Sequence, residues 1–259
     1  MKHAGDKTKG GGESQAILYG INPIIEALSA GAAVECIHMA SNMRHNLRQA
    51  LEDAASDRGV QILGADRKSL DRMAQGGVHQ GVVAVWGLPK PVPLEVLAQE
   101  LPVKGRRLLL CLDEVQDPRN VGALARSALA FGATGIVIPN HRSAGLTPAA
   151  IKASAGALCW LPVARETNMG QALDRLKKMG FWICGAVMDD AQDPWSFDPG
   201  DKVALVLGAE GSGLRRSVEG KLDFRVRIPM QEKSESLNVS VAGAVLMYEW
   251  LARSGRKGS

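Results

Sequence analysis

Short apolar runs alternate along this chain with longer stretches in which apolar residues return every three or four positions, the pattern of strands alternating with amphipathic helices. From residue 16, AILYGI predicts a strand and NPIIEALSAG a helix, with Asn22 as cap, Pro23 in the first turn and Gly31 at the end. VECIHMAS, VQILGAD and HQGVVAVWG read as further strands, separated by the helical patterns NLRQALEDAASDRG and SLDRMAQGG. Residues 16–87 thus predict a small α/β domain behind a flexible tail, 1–15.

Between 88 and 106, LPKPVPLEVLAQELPVKGR carries four prolines and no clear strand, a composition expected of a linker. Beyond it the alternation resumes over 107–259. RLLLCLDEV, GIVIP, CWLPVAR, FWICGAV, VALVLGAE and FRVRIPM predict strands, while NVGALARSALAFGA, TPAAIKASAGAL, NMGQALDRLKKMG, a segment near 214–221 and SLNVSVAGAVLMYEWL predict helices. Continuous apolar strands separated by helices imply an α/β fold with a mostly parallel sheet covered on both faces.

Composition narrows the class. Of 259 residues 46% are hydrophobic, which suffices for a sizeable core. No apolar run reaches the roughly 20 residues of a membrane helix, and MKHAGDKTKGGGESQ lacks the apolar centre of a secretory signal, so a cytoplasmic location is expected. Cys36, Cys111, Cys159 and Cys184 stand singly among apolar neighbours, the spacing of neither a disulfide framework nor a metal site. The net charge of +4 leans towards a polyanionic partner, with small clusters at Lys104/Arg106/Arg107 and Arg215/Arg216 as phosphate-holding candidates. Aromatic residues, at 4%, are too few for a single-strand stacking platform.

Three loops follow buried strands, at the sheet end where α/β proteins bind ligands: DEVQDPRNVGALARSA (113–128), LGAEGSGL (207–214) and IPMQEKSESLNVSVAGA (228–244). The second matches neither the dinucleotide fingerprint nor the phosphate loop, and the turn after the first strand is not glycine-rich as a Rossmann enzyme requires. Glu210, a carboxylate among glycines, is placed to orient a ligand. Asn120 is expected to cap its helix. Arg126, six residues on in an apolar helix, is expected to be buried and to meet an anion or a carboxylate. Ser236 is the expected cap of the last helix, which leaves Asn238 and Ser240 to face a site or a subunit partner.

In this order the three loops resemble the motifs of the SpoU (TrmH-like) RNA ribose 2′-O-methyltransferases of the SPOUT class: NVGALARSA with Asn120 and Arg126, LGAEGSGL with Gly208, Glu210 and Gly211, and IPMQEKSESLNVSVAGA with Ile228, Pro229, Met230, Ser236, Leu237 and Asn238. The first domain, with YGINPIIEAL and VHQGVVA, resembles the L30e-like RNA-binding domain of the same family. The resemblance implies a deep trefoil knot in the C-terminal domain, a homodimer formed through that domain, no metal, and S-adenosylmethionine as cofactor. The cofactor would lie against Gly208, Glu210, Gly211, Ile228, Met230, Leu237 and Asn238. It further implies methylation of a ribose in RNA, a guanosine of 23S rRNA by overall similarity. A tRNA substrate, or a non-catalytic RNA-binding assembly factor of the same fold, are the alternatives.

The same resemblance makes Arg126, Asn120, Glu210, Ser236 and Asn238 the catalytic set. A guanidinium stays protonated in proteins, so the expected role of Arg126 is to fix a phosphate and stabilise charge on the 2′-oxygen. His3, His38, His45, His79 and His141 all lie outside the three loops.

Overall fold

The computed structural model describes residues 15–29, 31–87, 90–99, 106–194, 196, 198, 200–231 and 236–256. The chain divides into two compact units, one comprising residues up to 25 with 33–88 and the other 26–32 with 89 onward.

The smaller unit is built on β1 (Gln15–Tyr19), β2 (Val34–Ala40), β3 (Gln61–Ala65) and β4 (Val82–Gly87), in the spatial order β1-β4-β2-β3. Its sheet is mixed, with β4 antiparallel to both neighbours and β2 parallel to β3. Helices α1 (Ile21–Ser29), α2 (His45–Ser56) and α3 (Arg67–Met73) connect the strands. α3 starts at Asp66, whose carboxylate accepts from the Ser69 amide at 2.9 Å. Leu70 and Ala74 pack against Ala40 and Val83 to fill the core on that face.

The larger unit holds six strands, β5 (Arg107–Leu112), β6 (Gly135–Pro139), β7 (Val163–Glu166), β8 (Trp182–Ala186), β9 (Lys202–Leu207) and β10 (Phe224–Val226). All are parallel, in the order β10-β8-β9-β5-β6-β7. Helices α4 (Leu94–Gln99), α5 (Pro118–Ala130), α6 (Pro148–Ala153), α7 (Ala157–Trp160), α8 (Met169–Lys178), α9 (Arg216–Glu219) and α10 (Val239–Arg256) complete it. Strand centres such as Leu109, Val137 and Val206 have no exposure, as expected of a sheet covered on both faces.

Three local expectations are corrected. The proline-rich stretch contains α4, whose Leu94 and Leu97 join the core formed by Leu109, Leu173 and Val206. The helix expected over 147–158 breaks at Ala155 and Gly156, both at positive φ (48° and 86°), and restarts as α7, so CWLPVAR contributes strand only from Val163. The last helix begins at Val239 and not at Ser236.

Two glycines set how closely the helices approach. A Cβ at Gly122 in α5 would overlap the Ala150 carbonyl and Ala153 of α6, and one at Gly243 in α10 would overlap Leu124 of α5 and Leu207 of β9. The second contact brings the first turns of α5 and α10 together above the end of β9. α10 buries Val239, Leu246, Met247 and Trp250, yet leaves Val241, Tyr248 and Leu251 exposed, and Leu129 of α5 is exposed as well. The Tyr248 ring meets Phe131 edge-on at 5.8 Å.

Candidate active site

The C-terminal ends of β10, β8 and β9 open into a cavity of about 490 Å³, within the range of small-molecule clefts. Its walls are mainly apolar: Ala186 at the end of β8 and Val187 after it, Leu207 of β9, Val226 of β10, and Val239 and Leu246 of α10. Gly208, Glu210, Gly211, Ile228, Met230, Ser236, Leu237 and Asn238 all line it, so every residue expected at a cofactor is on this one surface. Ala186, Val187 and Met188 were not legible as site residues, because a strand end without polar side chains carries no chemical signal of its own.

The glycine-rich turn explains its own composition. Ala209 and Gly213 exchange two backbone hydrogen bonds, at 3.1 and 3.0 Å, closing a tight loop with Glu210 near its tip. Gly211 and Gly213 adopt φ of +81° and +67°, a region costly for other residues. Gly208 is buried under the returning chain, where a Cβ would overlap Gly213 and Leu214. Its glycine identity therefore follows from loop closure.

Capping is arranged differently from the expectation, and the difference builds the site. α5 is capped by Asp117, whose carboxylate accepts from the Arg119 amide at 2.8 Å, with Pro118 in the first turn. Asn120 is thereby free of capping, and it is buried at 7% exposure. Its carboxamide oxygen accepts from the Asn238 side-chain nitrogen at 3.1 Å, and the same nitrogen donates to Glu210. The Asn238 oxygen accepts from the Ser240 amide at 2.9 Å and from the Ser240 hydroxyl, so Asn238 and not Ser236 caps α10. Capping thus accounts for Ser240 and half of Asn238, while the other half of Asn238 joins the three loops. Ser236 is exposed at the cavity.

Arg126 departs from its expectation. Its side chain lies on the exposed face of α5, outside the cavity lining, in the single chain. The apolar composition of α5 had suggested burial on all sides, but positions 126, 129 and 130 form an exposed stripe. Arg119, which the sequence did not single out, stands closer: Asp117 above all, through its hydrogen bonds, and also the charge of Glu210 hold its guanidinium above the usual value.

The basic clusters are largely engaged in structure. Arg215 donates to Asp113 from its backbone amide at 3.1 Å and from Nε at 2.9 Å, and a second guanidinium nitrogen also bonds that carboxylate. Asp113, directly after β5, is fully buried. This pair ties the glycine-rich turn to the neighbouring strand end, and Asp113, followed by Arg215's lesser partner Glu114, raises the Arg215 pKa. Arg106 pairs with Asp198 at 3.0 Å and lies over the Trp250 ring, and Arg107 donates to the Ala98 carbonyl. Lys104 lies outside the described residues.

Burial pushes the thiols of Cys111, Cys159 and Cys184 up to about 12, with the charges of Asp113 and Asp223 adding to the effect at the first and last. Among the described residues no three His, Cys, Asp or Glu side chains gather into a metal-holding group.

Comparison with known proteins agrees with this geometry. Residues 107–248 match the SpoU rRNA Methylase family, and residues 17–91 match the RNA 2′-O ribose methyltransferase substrate binding family. A Bacillus subtilis protein assigned by name to the TrmH family of tRNA/rRNA methyltransferases, YacO, is 40% identical over 90% of this chain and 93% of its own. Among solved structures, the SpoU methyltransferase AviRb from Streptomyces viridochromogenes, in complex with AdoMet, superposes with a TM-score of 0.80 at 23% identity, covering 95% of this chain and 92% of that one. The AdoMet-bound rRNA methyltransferase from Sinorhizobium meliloti gives 0.79 at 21%, covering 92% and 87%. With its larger unit matched from the first strand well into the last helix, and a relative 40% identical along nearly its whole length, the chain belongs to the SpoU rRNA methylase family of RNA methyltransferases.

Proposed function

We propose that this chain transfers a methyl group from S-adenosylmethionine to the ribose 2′-oxygen of an RNA nucleotide, a guanosine of 23S rRNA. The observation that carries the reading is the meeting of Asn120, Glu210 and Asn238, from three separated loops, at the rim of a mainly apolar cavity. That cavity suits the cofactor. Apolar walls from Val226, Ile228 and Leu246 favour a purine, the backbone of Gly208, Ile228 and Leu237 offers hydrogen bonds to its edge, and Glu210 adds a negative charge complementary to a sulfonium.

The cofactor supplies an electrophilic methyl group, so the chain's own contribution is mainly orientation. Asn238, fixed at one end by the α10 cap, holds the Glu210 carboxylate and Asn120 in a set geometry. Arg126 fixes a substrate phosphate and stabilises charge developing on the 2′-oxygen. Its exposure away from the cavity of its own chain supports action on a partner's site in a homodimer. The exposed apolar residues Val241, Tyr248, Leu251 and Leu129 supply a face for that dimer. A trefoil knot, in which the C-terminal segment passes through a loop, belongs to the same proposal, as does a cytoplasmic location.

The test is incubation of the purified chain and methyl-labelled S-adenosylmethionine with deproteinised rRNA, tRNA and assembled ribosomal subunits, followed by mapping of the labelled nucleotide. Label on the 2′-oxygen of one 23S rRNA guanosine is the expected result. Label confined to tRNA would replace the substrate assignment, and micromolar cofactor binding without transfer to any RNA would overturn the enzymatic one.

A further inference from the structure

Among the described residues, the cavity at the ends of β10, β8 and β9 has two charged side chains on its lining, Glu210 and Arg227. We propose that Arg227 binds the carboxylate at the amino-acid end of S-adenosylmethionine, as a cofactor residue outside the three loop motifs. This rests on the reading of the cavity as the cofactor site.

An exposed arginine is ordinarily a solvated surface group, and Arg227 is exposed, but its surroundings hold it in place. Its backbone amide donates to the Gln192 carbonyl at 3.1 Å, and the Val226 carbonyl before it accepts from the Val187 amide at 3.0 Å. The end of β10 is thereby tied to both ends of the segment 187–192 that leaves β8. From that base Nη1 of Arg227 donates to the Met188 carbonyl at 3.2 Å. Ala186, Val187 and Met188 line the same cavity, so the bond holds the guanidinium against its wall. Two residues earlier, Arg225 is committed to structure: it pairs with Glu219 and donates to the Asp189 and Asp190 carbonyls. Arg227 forms no ion pair among the described residues, and one carbonyl leaves most of its five N–H donors unused.

Charge decides which part of the cofactor Arg227 meets. S-adenosylmethionine carries a sulfonium, an ammonium and a carboxylate, and the two cations suit Glu210. The carboxylate would lose its hydration against mainly apolar walls without compensation. Arg227 supplies the opposite charge on this lining, with a planar fork that fits both carboxylate oxygens. Spacing agrees with this division. β8 separates β10 from β9, so the strand ends that carry Arg227 and Glu210 stand about 10 Å apart, at roughly 5 Å per strand. Long side chains set on those two ends can grip the opposite poles of an amino acid between them. The competing anion, a phosphate of the RNA, belongs beside Asn120, whose helix follows β5 on the far side of β9 from β10.

Calorimetric titration of the full chain, without RNA, with S-adenosylmethionine and with its decarboxylated analogue tests the proposal. Arg227→Gln keeps an N–H for the Met188 carbonyl but loses the charge and the fork. It is expected to weaken S-adenosylmethionine about tenfold, the effect of one charge-assisted contact, and to leave the analogue no weaker. Arg227→Lys should retain part of the affinity for S-adenosylmethionine. Melting temperatures equal to that of the parent are expected for both variants, since the side chain is exposed. An unchanged ratio of the two affinities in Arg227→Gln would overturn the proposal, whether both compounds weaken alike or neither does. In the second case, weaker retention of ribosomal RNA on filters would assign the guanidinium to a substrate phosphate instead. A chain that shows the expected change of ratio yet methylates no RNA would remove the transferase reading alone.

Discussion

Asn238 donates from its side-chain nitrogen to the carboxamide oxygen of Asn120 at 3.1 Å, joining the first turns of two helices 118 residues apart in sequence. The same nitrogen reaches Glu210, and the Asn238 oxygen caps α10. One side chain therefore serves both stability and the site, and substitution separates the two. Asn238→Ser keeps a good cap, so the melting temperature should change little. It removes the donor to Glu210, a charge-assisted bond worth about 1.5–3 kcal/mol, and the transfer rate should fall roughly ten- to hundredfold. Asn238→Ala should show the same kinetic loss together with about 1 kcal/mol less stability. A serine variant with parental turnover would remove Asn238 from the site.

The Asp113–Arg215 pair predicts an asymmetry. Asp113 has no exposure, whereas the Arg215 side chain is 39% exposed. Arg215→Ala strands a carboxylate in the interior and should cost about 3–5 kcal/mol. Asp113→Asn leaves a guanidinium able to turn to water and to Glu114, and should cost less, about 1–3 kcal/mol. Urea denaturation of the two variants checks the order, and the reverse order would mean that Arg215 is less free to turn than its exposure indicates.

How far the sequence revealed all this depends on what each feature leaves in the residue pattern. The alternation of strands and helices was legible because burial on both faces of a sheet forces continuous apolar runs, as in RLLLCL and KVALVL. The cavity's polar residues were legible because LGAEGSGL and SLNVS are anomalous for a plain turn and a plain helix start. Cap assignment was not, because Asp117, Asn120, Ser236 and Asn238 are all competent caps and only the backbone path chooses among them. Arg126 departs from its expectation for a related reason: a helix rich in Ala and Leu shows no contrast between a face against its own sheet and a face open to a partner. Likewise α4 was obscured by three prolines ahead of its first turn, although its Leu94 and Leu97 are core residues.

The thiols supply a pH dependence. The thiols of Cys111, Cys159 and Cys184 are pushed to about 12 in the folded chain, against an ordinary value of 9.0. Between those limits the unfolded chain has lost the protons that the folded chain keeps, so rising pH favours unfolding. Stability is intact below pH 9 and should fall above it, by about 1.4 kcal/mol per pH unit for each thiol. Urea midpoints measured from pH 8 to 11 should drop steeply, and less steeply in Cys111→Ala/Cys184→Ala. Equal slopes would show that other groups govern the alkaline limb.

The α5–α10 crossing predicts a coupling between packing and site. A Cβ at Gly243 would overlap Leu124 and Leu207, so Gly243→Ala should cost about 1–3 kcal/mol as overpacking. Parting of the helices to relieve the overlap moves Asn238 away from Asn120. Weaker cofactor binding is therefore expected alongside the lower melting temperature. Normal cofactor affinity in a destabilised Gly243→Ala would show that the strain is absorbed elsewhere.

Arg126 carries the final prediction. Its exposure in the single chain sets two arrangements against each other: action on its own cavity after movement of the side chain, or action on a partner's cavity in a dimer. Arg126→Lys keeps the charge but loses the planar fork, and should be severely impaired in transfer with RNA affinity unchanged. Complementation then decides which cavity is served. Arg126→Ala is expected to be inactive alone, and Asn238→Ala to keep no more than roughly a tenth to a hundredth of parental turnover. In a mixed dimer acting across subunits, the site that keeps Asn238 receives Arg126 from the other chain and works, while the second site lacks both. Random mixing should then restore roughly a quarter of the parental activity, because half the dimers are mixed and each has one competent site. Action within one subunit leaves every site defective and restores none. The mixing experiment thus reads the assembly and the role of Arg126 together, with no activity after subunit exchange as the result that would rule out action across the dimer.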